Sequence, residues 1–166
     1  MELITDANGD AAPRLNDSQF TPDQAIWAHG VLIEEVVKML CAGIVHADLS
    51  EFNILMAHDG PVIIDLPQAV DAAGNNHAQR MLMRDVNNLR IFFGRFAPSL
   101  LPTQYGPEIW DLYTRGELTP ETALTGRFRT VERKADLSGV FREINDAKSS
   151  EEARRERLRA HYAAKR

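Results

Sequence analysis

With 166 residues, 44% of them hydrophobic and 26% charged, the chain has the balance of an ordinary globular domain and room for one core. That excludes wholesale disorder and fibrous repeats, and no apolar run approaches the roughly 20 residues of a membrane-spanning helix. The net charge is −5, yet residues 148–166 hold seven Lys and Arg against three Glu, so the acidic excess lies in the body, a poor general binder of nucleic acid. The opening Met1-Glu2-Leu3-Ile4 has no basic leader and the single Cys41 has no disulfide partner. Together these predict a cytoplasmic protein without membrane contact, in which Cys41 packs as a small hydrophobe.

In chain order, residues 7–18 carry Gly9, Pro13, Asn16 and two Asp and read as loop. Thr21-Pro22-Asp23-Gln24 then opens a helix, with Thr21 as N-cap, Pro22 in the first turn and Gln24 closing a capping box. Its apolar face is predicted at Ile26, Gly30, Ile33, Val37 and Leu40, and Gly43 stops it. Residues 44–53 follow neither period. Ile54-Leu55-Met56 and Val62-Ile63-Ile64 are short β runs joined around Asp59-Gly60, a tight-hairpin signal.

A second helix fits Ala78, Leu82, Asp85/Val86, Leu89 and Phe93; a third runs from Pro107 to about Tyr113 and stops at Gly116. Thr119-Pro120 is predicted to cap a fourth, ending near Gly126, and the chain from about Arg133 reads as helical and charged, with a capping box at Ser149 and Glu152. Trp27, Trp110 and Tyr113 are expected in the core. The fold class is thus mainly α with one small β-hairpin. One domain is expected over 1–147, followed by a charged helical tail over 148–166. The plain reading of that tail is a solvated helix; the alternative is a contact to RNA or a ribosomal particle.

The chemistry concentrates between His46 and Asp65. Phosphoryl transfer needs a carboxylate that orients an attacking hydroxyl and accepts its proton, and oxygen ligands that hold Mg²⁺ against the phosphates. Asp48 in a loop, Asn53 five residues on, and Asp65 after a hairpin supply such oxygens in one region. Each residue alone is more commonly a turn former. The joint pattern, His-x-Asp-x-x-x-x-Asn, hairpin, then Ile-Ile-Asp, is the protein-kinase catalytic and metal arrangement. His46 is read as a brace for the loop, Arg84-Asp85 as a structural polar pair, and the scattered His29, His58 and His77 as no zinc site.

His46-Ala-Asp-Leu-Ser-Glu-Phe-Asn-Ile-Leu55 with Ile63-Ile-Asp-Leu-Pro-Gln68 resembles the RIO family of atypical serine/threonine-protein kinases, whose loop reads H-G-D-L-S-E-Y-N-I-L and whose metal segment reads I-D-x-x-Q. The resemblance extends to a hinge-like stretch (about 1–5, then Ala12-Pro13-Arg14-Leu15) and to the helix holding Arg84-Asp85-Val86-Asn87-Asn88 and Phe92-Phe93, covering about residues 1–95. It departs mildly at Ala47, where the family has Gly, and at Pro67, which stiffens the chain after Asp65. No Gly-x-Gly loop occurs and none of the four lysines has a strand-like context, so the resemblance is to a kinase C-terminal lobe that begins at the hinge, without the N-terminal lobe.

The resemblance implies ATP and Mg²⁺ (or Mn²⁺) as cofactors, a protein of unknown identity as substrate, and kinase or ATPase activity. It implies Asp48 as catalytic residue in loop 46–53, and Asn53 and Asp65 as metal ligands, the latter in segment 62–68. At the position of Asp65 the family implies a phosphate acceptor as well. Backbone groups of Glu2 and Ile4 would meet the adenine, with Met1 at its edge and Leu55 and Ile64 beneath it; Ser50 would touch phosphate or merely cap the loop. The 166 residues alone are expected to be nearly inactive. Two other readings stay open: a small-molecule phosphotransferase of the aminoglycoside type, and a non-catalytic, pseudokinase-like binding module.

Overall fold

The computed structural model describes residues 4–128. Two orphan amides at the start of its first helix, α1 (Pro22–Cys41), are closed by side chains. Thr21 Oγ1 accepts from the Gln24 N–H at 3.3 Å, and Gln24 Oε1 accepts from the Thr21 N–H at 2.9 Å. At the other end the chain turns away at Gly43, whose φ of +81° suits a residue without a Cβ. The buried face keeps the predicted Ile33, Val37 and Leu40 but is otherwise shifted. Ala25, Ala28, His29, Leu32, Val36 and Leu40 carry it with Ile33 and Val37, while Ile26 and Gly30 face solvent. Small Ala25 and Ala28 allow neighbouring elements close, and that approach rotates the helix away from its bulkier Ile26.

Helix α2 (Ala78–Gly94) buries the predicted stripe, and helix α3 (Tyr105–Thr114) ends before Gly116 as expected. Both pack against α1 over a core that includes Leu32, Leu40, Leu82, Leu89, Phe93 and Ile109. Phe20 meets Phe92, Phe93 and Phe96 edge-on at 6.4, 5.6 and 5.4 Å between ring centres, the favoured aromatic geometry.

Between α1 and α2 lie two antiparallel two-stranded sheets. One is the expected hairpin, β2 (Ile54–Ala57) with β3 (Gly60–Ile63), closing through His58-Asp59 with Ala57 opposite Gly60. Gly60 opens β3 at φ +133°, and a Cβ there would come within 3.2 Å of the Trp27 ring. Trp27 is therefore not core: it is 52% exposed and lies against the hairpin turn. Trp110 and Tyr113 are half-buried against the core, 5.3 Å apart. The other sheet pairs β1 (Ile44–Val45) with β4 (Val70–Asp71), each too short to show a period in sequence. Cys41, expected to be packed, is exposed. It ends a helix whose buried face has already passed, and its Sγ sits 3.7 Å from the Leu118 carbonyl.

The predicted fourth helix does not form. Residues 117–128 are turn and irregular chain, because side chains offer the backbone better partners than a short helix would. Thr122 Oγ1 accepts from the Thr119 N–H, and the Glu108 carboxylate on α3 accepts from the N–H groups of Thr125 and Gly126, each at 2.8 Å. The helix expected from Arg133, its capping box and the 148–166 tail lie outside the described residues. Among the described helices none is long and apolar enough to cross a membrane.

His29 is a buried polar group of this core with an unpaired ring nitrogen: the ring lies against Phe93 and Tyr105, and Nε2 finds no partner among the described residues. Burial pulls its pKa from 6.5 down to about 4. Below pH 6.5 the unfolded chain thus takes up a proton that the folded chain refuses until about pH 4. Stability falls as the pH drops through that window, by at most about 3 kcal/mol from this residue. His29→Leu is expected to flatten the slope of unfolding free energy between pH 7 and pH 5 in urea titrations; an unchanged slope would remove His29 as its source.

Candidate active site

The loop 46–53 has no regular structure of its own, and its backbone is held by one helix. Asp85, buried on α2, accepts from the N–H groups of Ala47 at 2.8 Å and Leu49 at 3.1 Å. Arg84 donates to the carbonyl of Ala47, and Asn88 Nδ2 donates to that of Leu49 at 2.9 Å. Residues i, i+1 and i+4 of α2 thereby satisfy both backbone groups on either side of Asp48, whose own side chain stays exposed. Burial pushes the Asp85 carboxyl up; the two amide bonds, His46 and Arg84 oppose it.

The Arg84-Asp85 pair is thus structural, but each residue's partner is the loop rather than the other. The signal for this was present in the sequence: a carboxylate inside an apolar helix stripe needs buried donors to meet it.

Ala47 sits at φ +69°, buried, in the left-handed region that costs a non-glycine residue about 1 kcal/mol or more. Its departure from glycine is therefore larger in backbone terms than in side-chain size. Ala47→Gly is expected to raise stability by about 0.5–1 kcal/mol, against the usual direction for such a change. Thermal unfolding checks this, and a lowered midpoint would contradict it.

The hairpin sets the other half of the site. Ile64 is gripped on both sides: its N–H donates to the Asn53 carbonyl at 2.9 Å, and its carbonyl lies 3.1 Å from His46 Nε2. His46 is buried, and its Nδ1 is 3.4 Å from the Asp48 N–H, so the imidazole bridges the loop to the strand end. Asp65 follows directly, exposed and at φ +66°, a conformation that Asp tolerates better than most residues. Asn53 Nδ2 donates to the Asp48 carbonyl at 2.6 Å, which commits the nitrogen end of the amide and leaves Oδ1 as its acceptor.

Asn53 and Asp65 therefore lie at the same open end of the hairpin, with Asp48 joined to Asn53. Among the described residues no three His, Cys, Asp or Glu side chains gather into a protein-only metal cage. One amide oxygen and one carboxylate are what Mg²⁺ takes from a protein when phosphate and water oxygens complete its shell. The donor set fits that ion.

The remaining candidates are placed as follows. Ser50 Oγ is 3.4 Å from the Phe52 N–H and its carbonyl accepts from Asn53, so it caps the loop. Leu55 and Ile64 are half-buried in and beside the hairpin. The Ile4 carbonyl accepts from the Ala12 N–H at 3.0 Å, and the strap from residue 4 to 14 runs along β2: Met56 donates to Pro13 and His58 to Thr5. Met1 and Glu2 lie outside the described residues.

The loop, the hairpin and the Asp that follows make up the elements of the protein-kinase-like class. A family model described as a RIO domain matches residues 1–105, and the chain belongs to that family. It is 41% identical over 96 residues to the RIO-type serine/threonine-protein kinase Rio1 of Haloferax volcanii, covering 57% of this chain and 31% of that protein. It is 40% identical over 87 residues to the probable serine/threonine-protein kinase RIO1 homolog of Encephalitozoon cuniculi, covering 52% and 22%. Its similarity to the Rio2 kinase of Chaetomium thermophilum, solved as an ADP/Mg²⁺–phosphoaspartate complex, has a TM-score of 0.44 at 29% identity, over 51% of this chain and 27% of that one. The chain thus spans about a fifth to a third of the length of these relatives.

Proposed function

We propose that the chain provides the C-terminal-lobe half of a RIO-type serine/threonine kinase site, in which the γ-phosphoryl group of ATP passes to a protein hydroxyl. In this reading Asp48 accepts the proton of the attacking hydroxyl as its oxygen bonds to phosphorus and the bond to the bridging oxygen breaks, releasing ADP. Asn53 Oδ1 and the Asp65 carboxylate would hold Mg²⁺, which would neutralise charge on the phosphates. Backbone groups of Glu2 and Ile4 would meet the adenine, with Met1 at its edge and Leu55 and Ile64 beneath the ring. Ser50, which caps the loop, would present its hydroxyl to phosphate.

The observation that carries this reading is the double grip on Ile64, which ties the residue before Asp65 to both ends of the catalytic loop. The RIO-domain match spans that loop and favours a protein kinase over an aminoglycoside-type enzyme. The test is Mg²⁺-dependent nucleotide binding by the 166-residue chain, followed by calorimetry or by fluorescence of a labelled ATP. Asp65→Asn is expected to remove the Mg²⁺-dependent part of binding and to leave the unfolding midpoint nearly unchanged, since Asp65 is exposed. Nucleotide binding that ignores both Mg²⁺ and Asp65→Asn would instead support the non-catalytic module.

A further inference from the structure

A second concave region lies between α2 and the start of α3, with a cavity volume of about 560 Å³. Its α2 wall carries Arg84 and Arg90, its far wall Thr103 and Gln104, and among the described residues no Asp or Glu lines it. That is against the composition around it: residues 1–128 hold eight Lys and Arg against seventeen Asp and Glu. Each guanidinium is anchored at one end of the groove, Arg84 on the Ala47 carbonyl and Arg90 on the Leu101 carbonyl and Asn87 Oδ1. Neither arginine has a carboxylate partner among the described residues.

We propose that this groove docks an acidic, extended peptide segment of the protein substrate, a proposal that rests on the kinase reading above. Six residues along the helix put the Cα atoms of the two arginines about 9 Å apart along its axis, and both side chains reach the groove. A peptide in the extended polyproline-II form returns to the same face every three residues with a rise of about 9 Å, so carboxylates at i and i+3 match the pair. Arginine guanidinium groups suit carboxylates, and the partly exposed Met83 adds apolar surface beside them.

The position is informative too: Arg84 touches the residue before Asp48, so the groove opens beside the catalytic loop. A polyanion such as RNA is disfavoured, because the acidic body repels it beyond the groove while a short peptide meets only the local field. The chain's own segment 129–166 is no match in charge, being neutral over 129–147 and basic over 148–166.

The experiment measures fluorescence anisotropy of a labelled peptide with Asp at i and i+3 against the full 166-residue chain at low salt, beside an Asn-substituted peptide and a short single-stranded RNA. Binding on the order of 100 µM is expected for the acidic peptide only. Gln104→Glu, which adds charge at an exposed side chain without touching either arginine, is expected to weaken it at least threefold, and Gln104→Lys to strengthen it. Arg90→Gln should weaken it further.

Equal binding by the Asn peptide, preference for RNA, no binding by the whole chain, or indifference to the Gln104 pair would each overturn the proposal. Nucleotide binding is read separately in the same samples. If it is lost while the peptide still binds, the kinase reading falls and the groove stands; if nucleotide binds and the peptide does not, the groove alone falls.

Discussion

Asp85→Ala is expected to cost about 2–4 kcal/mol of folding free energy and to abolish Mg²⁺-dependent nucleotide binding, although Asp85 lies on a helix behind the site. The substitution leaves the Ala47 and Leu49 amides buried without acceptors, and each such bond to a charged group is worth about 1.5–3 kcal/mol. Relief of the carboxylate's own burial offsets part of the loss, which keeps the total below the simple sum. Asp85→Asn retains one oxygen and should lose roughly half as much. The two bonds also hold Ala47 in its left-handed conformation, so the effects of Asp85→Ala and Ala47→Gly should not add. Urea unfolding of the single and double variants measures this directly. A loss under about 1 kcal/mol for Asp85→Ala, or strict additivity, would show that the loop holds its shape unaided.

The largest effect on activity is expected from completing the site. In a kinase the phosphates are clamped from one side by a glycine-rich loop and a strand lysine, and from the other by the metal ligands. In the proposed reading the 166 residues offer the second set, and they contain no Gly-x-Gly sequence. By themselves they should bind ATP–Mg²⁺ in roughly the millimolar range, because the phosphates stay solvated and unaligned, and should transfer no measurable phosphate to protein. Fusing a RIO-type N-terminal lobe ahead of Met1 should restore transfer, and Asp48→Ala in that fusion should cut the rate by about 10³-fold or more. Transfer of ³²P from labelled ATP to protein reads both. Robust transfer by the 166 residues alone, lost in Asp48→Ala, would mean that another segment or a second copy supplies the clamp.

What could be read from the sequence followed from how local each feature is. The capping box at Thr21, the stop at Gly43, the stripe of α2 and the hairpin are decided within a few residues, and the spacing from Asp48 to Asn53 to Asp65 is a property of chain order. Features decided at long range were hidden. The Ile44–Val45 pairing with Val70–Asp71 has no period to reveal it. The rotation of α1 comes from what Ala25 and Ala28 let approach, and the failed helix at 119–126 from a carboxylate on α3, Glu108. Asp85 was visible as an acid in an apolar stripe, but the backbone it holds is 36 to 38 residues away.

The strap along β2 makes the site mechanically continuous with the chain's entry. Tension applied at residue 4 passes through the Thr5–His58 and Pro13–Met56 bonds into the hairpin, and from its ladder through Ile64 to Asp65. Displacing the strap from β2 would therefore load the strand that leads to Asp65, the proposed metal ligand, and a body attached at the N-terminal side would have a short lever on the geometry of that residue.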